Sequence, residues 1–248
     1  MRIIITFSPL KDSICLPINH QEIIQGLIYQ HLDPGIAEFL HNEGFAYKKR
    51  KFKLFTFSRL MGKVRRKGNT FTFQGNIKLV VSSIHLPTVK SLATNLIKQE
   101  EIQIGTNKVQ IKSIEVEKEP AFNKEVIIRM LSPVTVYSTL SSPGGKKKTY
   151  FYNPYEREFE ELIAQNIIHK FLAYYGIHPQ EQTIAIEPLN VSIKNQKLIK
   201  YKATIIKGWM GKYKLSGSPE LLKIAYYTGI GSKNSQGFGC FEIINMNE

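Results

Sequence analysis

Arg2-Ile3-Ile4-Ile5-Thr6-Phe7 opens the chain with a short, apolar and β-branched pattern that predicts a buried strand. A helix is expected next, because Asn19 can cap it and Asp33-Pro34-Gly35 stops it. Apolar residues recur at helical spacing between these signals, and the predicted buried stripe is Ile23, Ile24, Leu27, Ile28 and His31. The chain therefore begins with a strand and a helix, and the order of the elements that follow decides the fold.

The rest of the first half alternates strand and helix patterns. The predicted elements are a short helix at 36–40 ending near His41, strands at 53–58 and 71–83, a helix opened by Pro87, and a strand at 108–116. The second half repeats this order. Its predicted elements are a strand at 126–131, a helix at 156–175, strands at 183–186 and 200–213, a helix from Ser218 to Tyr227, and a strand at 238–244.

Each half is therefore predicted to fold as β-α-β-β-α-β, and the fold class is α+β with two tandem ferredoxin-like (RRM-like) domains. We expect the domains at 1–118 and 125–248, because the polar segment Glu117–Lys124 contains Pro120 and resembles a linker. This fold is common and defines no function by itself, but sheets of this topology are a familiar platform for single-stranded RNA.

Composition and charge narrow the function classes. Of 248 residues, 42% are hydrophobic and 22% are charged, which excludes wholesale disorder. Lys and Arg number 34 against 20 Asp and Glu, so the net charge of +14 predicts a polyanionic partner, nucleic acid before an acidic membrane. No apolar run could span a bilayer, and no helix pairs a basic face with an exposed apolar one, so no membrane role is expected. Cys15 and Cys240 lie far apart, which predicts no disulfide and a cytoplasmic protein.

Basic residues mark the predicted RNA-binding surface. The stretch from Lys48 to Lys67 contains no acidic residue, and Phe52, Phe55 and Phe57 are interleaved in it. The charges suit phosphate contacts, while the phenylalanines either stack on bases or face the core. The candidates here and in the later Gly- and Lys-rich loop are Lys48, Lys49, Arg50, Lys51, Arg65, Arg66, Lys146, Lys147 and Lys148.

A glycine-rich segment, GIGSKNSQGFG, covers residues 229–239. It lacks the spacing of a P-loop or of a dinucleotide-binding fingerprint. It either lets main-chain N–H groups approach a phosphate chain or is a turn that needs positive φ values. On the first interpretation, the RNA-binding candidates are Gly229, Gly231, Lys233, Asn234, Ser235, Gly237 and Gly239.

Candidate catalytic side chains are less obvious. No histidine pair has metal-ligand spacing and no carboxylate cluster accompanies one, so neither a metal site nor a cofactor is predicted. Tyr29 lies one position, or about 100°, beyond the stripe residue Ile28, with small or polar neighbours, so its ring projects from a face with room beside it. His41 stands at the exposed end of a short predicted helix. Neither residue alone establishes a catalytic role.

Taken together, these segments resemble a known family, the CRISPR-associated repeat-RNA endoribonucleases of the Cas-six type. The matching residues are Asn19-His20-Gln21, Gly26-Leu27-Ile28-Tyr29, Leu40-His41, Lys53-Leu54-Phe55-Thr56-Phe57-Ser58 and the glycine-rich segment 229–239. The resemblance covers essentially the whole chain. It implies cleavage of CRISPR precursor transcripts within the repeat, with CRISPR repeat RNA as partner. It also allows a CRISPR effector complex as a partner and either a monomer or a homodimer.

The resemblance also implies a catalytic site built from Tyr29, His41 and Lys53, with Lys51 as an alternative to Lys53. The chemistry is plausible without a metal, because RNA carries its own nucleophile, the 2′-OH. Histidine can give or take a proton at neutral pH, lysine can stabilise charge on a phosphate, and tyrosine is a poor base unless a cation such as Lys53 lowers its pKa. Tyr29 is assigned as the general base, His41 as the general acid and Lys53 as the electrostatic stabiliser, and the first two roles could be exchanged. The alternative function is a repeat-RNA-binding protein or ribonucleoprotein subunit that does not cut.

Overall fold

The structure is a computed structural model that describes residues 1–141, 145 and 147–244; Lys146, one of the predicted RNA-binding residues, lies outside them. The helices of the N-terminal half are α1 (Gln21–Gln30), α2 (Pro34–Glu38) and α3 (Leu86–Ile97). Its strands are β1 (Arg2–Pro9), β2 (Ser13–Pro17), β3 (Phe45–Tyr47), β4 (Arg50–Phe52), β5 (Phe55–Phe57), β6 (Met61–Lys67), β7 (Thr70–Ser83), β8 (Ile102–Ile104) and β9 (Asn107–Val116).

The main sheet of this half has the strand order of a ferredoxin-like unit. β1 lies between β7 and β9, while β5 and β6 also pair with β7, and every pairing is antiparallel. The order β9-β1-β7-β6, with α1 and α3 as the connecting helices, is the one expected for β-α-β-β-α-β. β2 and β8 extend the sheet, and β3 and β4 form a separate hairpin. The predicted fold class is confirmed for this half.

Helix α1 packs on this sheet through the stripe predicted from the sequence. Ile24, Leu27 and Ile28 are buried in the core that β1 and β7 also line. The predicted cap is wrong, because the side chain of Asn19 accepts a hydrogen bond from the main-chain N–H of Lys200 (3.0 Å) instead of capping the helix. His20 occupies the N-cap position without a side-chain cap bond. Asn19 therefore ties the start of α1 to the second half of the chain.

The C-terminal half repeats the arrangement around a four-stranded sheet. Its elements are β10 (Glu125–Met130), β11 (Tyr137–Ser141), β12 (Lys147–Phe151), α4 (Arg157–Tyr175), β13 (Ile184–Leu189), β14 (Gln196–Tyr201), β15 (Thr204–Trp209), β16 (Lys212–Gly217), α5 (Pro219–Thr228) and β17 (Phe241–Ile244). The sheet order β13-β16-β10-β17 is again that of the ferredoxin-like unit. The strand predicted at 200–213 is wrong: a turn at 202–203 and a break at 210–211 divide this region among β14, β15 and β16. Strands β11 and β12 form one extra hairpin, and β14 and β15 form another.

A buried arginine joins the two halves. Arg2 of β1 donates a hydrogen bond from Nη1 to the main-chain oxygen of Phe241 in β17 (2.6 Å). Its Nε lies 3.1 Å from a carboxylate oxygen of Glu117, and its guanidinium stacks on the Tyr226 ring at 4.6 Å. Because burying a charge is costly, Glu117 compensates the charge of Arg2, and Arg2 links the main sheet of the N-terminal half to that of the C-terminal half. None of the helices in the described part of the chain is long and apolar enough to cross a membrane.

Candidate active site

His41 lies in a single π-helical turn, Phe39–Glu43, which follows α2. The sequence predicted a short helix at 36–40 that ends near His41. In the structure, α2 ends at Glu38 and the wider π-helical turn follows it. The imidazole is exposed, and its Nδ1 lies 2.9 Å from the side-chain oxygen of Asn42. Turns of this kind are frequent at functional sites. The turn therefore presents a histidine ring that a substrate can reach.

Two lysines secure this turn through its main chain. Lys53 donates from Nζ to the carbonyl oxygen of His41 (2.7 Å), and Lys51 donates to that of Asn42 (3.1 Å). Lys53 is partly buried, and burial together with the nearby charge of Lys51 lowers its pKa. Lys51 is exposed. The structure therefore brings Lys53 to His41 and puts Lys51 beside the neighbouring residue.

Gly44 makes this approach sterically possible. Its φ of +65° and ψ of −167° belong to a region that is essentially restricted to glycine. A Cβ atom at this position would lie only 2.6 Å from the main-chain oxygen of Phe52. Sequence reasoning missed this residue, although a glycine three positions after His41 was the available signal. Gly44 lets the chain carrying Lys53 lie directly against the turn carrying His41.

Tyr29 is placed differently from the expectation. Its side chain is partly buried on α1, and its ring packs edge to face on Phe55 with 5.9 Å between centroids. Burial, with a smaller contribution from Tyr201, raises the pKa of Tyr29 to about 12. Lys53 therefore does not lower the pKa of Tyr29, although a tyrosine acting as a base would require such a cation. Within the described residues, no hydrogen bond joins the Tyr29 hydroxyl to His41 or Lys53.

A basic cleft opens beside Lys53, between the two halves of the chain. Its volume is about 460 Å³. The N-terminal wall contains three cations, and the C-terminal wall contains the glycine-rich segment. The residues that line it are Arg50, Lys51, Phe52, Lys53, Leu54, Phe55, Tyr137, Asn166, Lys170, Thr228, Gly231, Ser232, Lys233, Asn234 and Ser235. The structure thus joins two features that lie far apart in sequence, the start of the basic stretch and the glycine-rich loop.

The four predicted glycines of this loop are buried and have positive φ values. These residues are Gly229 (77°), Gly231 (71°), Gly237 (84°) and Gly239 (76°). A Cβ atom on Gly231 would lie 2.6 Å from the Thr135 carbonyl oxygen, and one on Gly237 would lie 2.6 Å from the Phe57 ring. Packing against the protein therefore accounts for the glycines, as the turn interpretation requires. The part of the loop that is accessible to a ligand is 232–236.

The remaining predicted residues of the loop have distinct roles. The Lys233 ammonium lies 5.1 Å from the centroid of the Tyr137 ring at the cleft. The amide of Asn234 instead turns inward and donates to the carbonyl oxygens of Ile230 and Phe238 (both 3.0 Å). Ser235 accepts a hydrogen bond at its carbonyl oxygen from the Gln25 side chain of α1 (2.7 Å). The partly accessible cation of the loop is thus Lys233, while Asn234 stabilises the internal structure of the loop.

Within the described part of the chain, the other predicted basic residues do not line the cleft. They lie exposed on three hairpins: Lys48 and Lys49 at the tip between β3 and β4, Arg65 and Arg66 on β6, and Lys147 and Lys148 on β12. Phe55 and Phe57 are buried, and only Phe52 of the three interleaved phenylalanines remains partly accessible. Among the described residues, no group of three or more His, Cys, Asp or Glu side chains is arranged to hold a metal ion.

Sequence reasoning missed Lys170 of α4. Its side chain is buried, and Nζ donates to the carbonyl oxygen of Gly229 and to the side-chain oxygen of Asn234 (both 2.7 Å). Burial lowers its pKa to about 7. The available signal was helical spacing, because position 170 follows the buried Ile167 by three residues and precedes the buried Phe171.

By fold, the chain falls in the class of proteins with two tandem ferredoxin-like units. A solved structure described as a Cas6-related gene product from Pyrococcus furiosus superposes with a TM-score of 0.87 at 24% identity, and covers 99% of both chains. The model for the C-terminal part of CRISPR-associated protein Cas6 matches residues 94–243, and the model for the Cas6 N-terminal part matches residues 15–115. The chain therefore belongs to the Cas6 family.

Two curated relatives cover nearly the whole chain. The CRISPR-associated endoribonuclease Cas6 from Pyrococcus furiosus is 30% identical over 236 residues, which are 92% of this chain and 83% of the relative. A CRISPR-associated endoribonuclease-like protein, Cas6nc, from Pyrococcus horikoshii is 26% identical over 252 residues, or 98% of this chain and 100% of the relative. The family resemblance predicted from the sequence is confirmed.

Proposed function

We propose that this protein is an endoribonuclease that cuts CRISPR precursor transcripts within the repeat. The 2′-OH attacks the adjacent phosphate, and the products carry a 2′,3′-cyclic phosphate and a 5′-OH, with no metal or cofactor. The observation that carries the proposal is the 2.7 Å contact from the Lys53 amino group to the His41 carbonyl oxygen beside a basic cleft. The relative from Pyrococcus furiosus, named as an endoribonuclease, supports the same activity.

Burial of the phenol favours the reverse of the roles assigned from the sequence, with His41 as the base and Tyr29 as the acid. Because its pKa is raised to about 12, Tyr29 keeps its proton at neutral pH and suits the role of general acid. His41, exposed on its turn, then takes the proton of the 2′-OH. The 2′-oxygen forms a bond to phosphorus, the bond from phosphorus to the 5′-oxygen breaks, and Tyr29 protonates that oxygen. Acid and base act on opposite sides of the phosphodiester, so they need not touch.

Lys53 supplies positive charge where the reaction builds negative charge. A lysine ammonium has three protons, and the His41 carbonyl oxygen uses one, so two remain for phosphate oxygens. Preorganised donors of this kind are typically worth about 10²- to 10³-fold in rate. We propose Lys53 as the catalytic lysine, since Lys51 reaches Asn42 rather than His41.

The cleft is the proposed path of the RNA strand next to the site of cleavage. One wall comes from the proposed domain at 1–118 and the other from that at 125–248. Arg50, Lys51 and Lys233 would neutralise phosphates, and the exposed hairpin lysines and arginines would extend this track. If several phosphates are neutralised, affinity should fall steeply between roughly 50 and 200 mM salt.

Cleavage of the host's repeat RNA in excess chelator tests the proposal directly. The wild-type protein should yield a 2′,3′-cyclic phosphate and a 5′-OH, identified by mass spectrometry, and His41→Ala should abolish cleavage. A repeat with a 2′-deoxy nucleotide at the cleavage site should bind both proteins within a few-fold of each other. Metal-dependent cleavage, or product ends with a 5′-phosphate, would refute the mechanism.

A substrate with sulfur in place of the leaving 5′-oxygen separates acid from base. A thiolate leaves without protonation, so this substrate should restore cleavage by Tyr29→Phe and leave His41→Ala inactive. The reverse pattern would exchange the two roles. Rescue of neither variant would show that neither residue is the general acid.

The second candidate function is repeat-RNA binding without cleavage. It is favoured by the absence, among the described residues, of a hydrogen bond from the Tyr29 hydroxyl to His41 or Lys53, and by the relative named only as endoribonuclease-like. It predicts tight, salt-sensitive binding of repeat RNA by the wild-type protein with no products at any enzyme concentration. Detection of cyclic-phosphate products that His41→Ala does not form would exclude it.

A further inference from the structure

Lys170 occupies an unusual position for a lysine. It lies on the buried stripe of α4, between Ile167 and Phe171, and its side chain is 2% exposed. An apolar residue of similar size would suit this position, because a buried amino group must replace its lost hydration with hydrogen bonds. Lys170 finds two such bonds, both to the glycine-rich loop.

These two bonds connect the start of the loop to its middle. The amino group holds the carbonyl oxygen of Gly229, at the start, and the side-chain oxygen of Asn234, in the middle. The amide nitrogen of Asn234 in turn holds the carbonyl oxygens of Ile230 and Phe238. A single amino group, acting through one asparagine, therefore fixes the start, the middle and the end of the loop.

The loop held in this way presents its accessible part to the cleft. Ser232, Lys233 and Ser235 line the cleft opposite Lys53. Lys233 itself has a φ of +60°, a conformation that costs about 1 kcal/mol or more for a residue with a side chain, so the surroundings must impose it. Asn234, the immediate neighbour of Lys233, is the residue that Lys170 anchors.

We propose that Lys170 is a positioning residue for RNA binding, which acts through Asn234 to hold the glycine-rich loop in the shape that lines the cleft. The proposal rests on the proposed function, since the loop is taken to contact RNA. Lys170 is itself buried and does not act as a phosphate contact. Its loss should weaken binding of RNA while leaving the rate of the chemical step on bound RNA nearly unchanged.

The experiment compares Lys170→Met, Asn234→Ala, the double variant and a charge-matched control, Lys98→Met, at the exposed end of α3. Dissociation constants are measured with repeat RNA carrying a 2′-deoxy nucleotide at the cleavage site. Single-turnover rates are measured with cleavable RNA at saturating protein. Hydrogen exchange of the peptide covering 229–239 is measured on the protein alone, with the α3 peptide as internal reference.

We expect Lys170→Met to raise the dissociation constant for RNA at least tenfold and to keep the single-turnover rate at saturating protein within threefold of wild type. For Lys98→Met, both the dissociation constant and this rate should stay within threefold of wild type. Exchange in 229–239 should accelerate at least tenfold, with α3 unchanged. The double variant should bind no worse than the weaker single variant, because both act through one structure. Should Lys170→Met not fold, Asn234→Ala must show the same pattern, since it removes an acceptor and leaves the lysine in place.

Any one of three results would overturn the proposal. They are unchanged hydrogen exchange in 229–239 of Lys170→Met, a lower single-turnover rate of that variant with unaltered RNA affinity, and multiplicative losses of RNA affinity in the double variant. Failure of the proposed function is distinguishable from these outcomes. If the wild-type protein neither bound nor cut repeat RNA, the proposed function would fail, while hydrogen exchange would still decide whether Lys170 holds the loop.

Discussion

Replacing Gly44 by alanine should move Lys53 away from His41 in the candidate active site. The backbone conformation at Gly44 costs about 1–3 kcal/mol for a residue with a side chain. The new Cβ atom would lie 2.6 Å from the Phe52 oxygen, whereas ordinary Cβ contacts begin at 3.4 Å, so the chain must move by about 0.8 Å (3.4 − 2.6). If Lys53 follows Phe52, its 2.7 Å bond to His41 lengthens to about 3.5 Å and is lost.

A misplacement of about 1 Å in an active site can cost about 10²-fold in rate. We therefore expect Gly44→Ala to lower the single-turnover cleavage rate by about 10- to 100-fold, with RNA affinity within a few-fold. The assay uses repeat RNA for the rate and its 2′-deoxy analogue for binding. Gly35→Ala is the matched control, because a Cβ atom there meets nothing within 4 Å. Cleavage by folded Gly44→Ala within threefold of wild type would refute the reasoning.

Three further predictions concern Lys53, Arg2 and Lys170. Lys53→Met should lower the cleavage rate at least 10²-fold at saturating protein, whereas Lys51→Met should act mainly on RNA affinity; equal losses of rate would contradict the choice of Lys53. Arg2→Met should reduce the free energy of unfolding by about 1–3 kcal/mol, measured by chemical denaturation, because the buried main-chain oxygen of Phe241 loses its donor, whereas the partly exposed Glu117 keeps the Tyr226 hydroxyl. The pKa of Lys170 is about 7 in the folded protein and 10.5 ordinarily, so the unfolded chain binds more protons between these values. The free energy of unfolding should therefore rise with pH from about 7 to 10.5 relative to Lys170→Met, by up to about 5 kcal/mol, and a pH-independent difference would be contrary evidence.

The fold could be predicted from the sequence because its main elements carry long periodic patterns. The stripes of α1 and α4 and the strand β7 each bury one side against a core, and burial is what the spacing of apolar residues records. The hairpins β3–β4 and β14–β15 were missed, because short strands that pair mainly with each other leave little such pattern. Asn19 was misassigned because its side chain makes a tertiary hydrogen bond instead of the local cap.

The candidate site could be predicted only in part. Tyr29, His41 and Lys53 came from the family resemblance, since their spacing of 12 residues each places them on no common helix face or strand. The contact between His41 and Lys53 depends on a turn and on Gly44, which periodicity does not reveal. Lys170 was overlooked because lysines are usually exposed, and only the tertiary structure shows its two acceptors.

The arginine that ties the two sheets together has a consequence for substrate choice. Because Arg2 links β1 to β17, widening the cleft by a hinge motion between the halves would break the hydrogen bond to Phe241 and the contact with Tyr226. The volume of the cleft, about 460 Å³, is in the range of small-molecule sites, which suits a single strand better than a duplex. If the RNA strand follows the cleft as proposed, we expect base pairs near the scissile bond to open before the strand enters. The cost of deformation falls on the nucleic acid, and transcripts that are already unpaired there should be processed first.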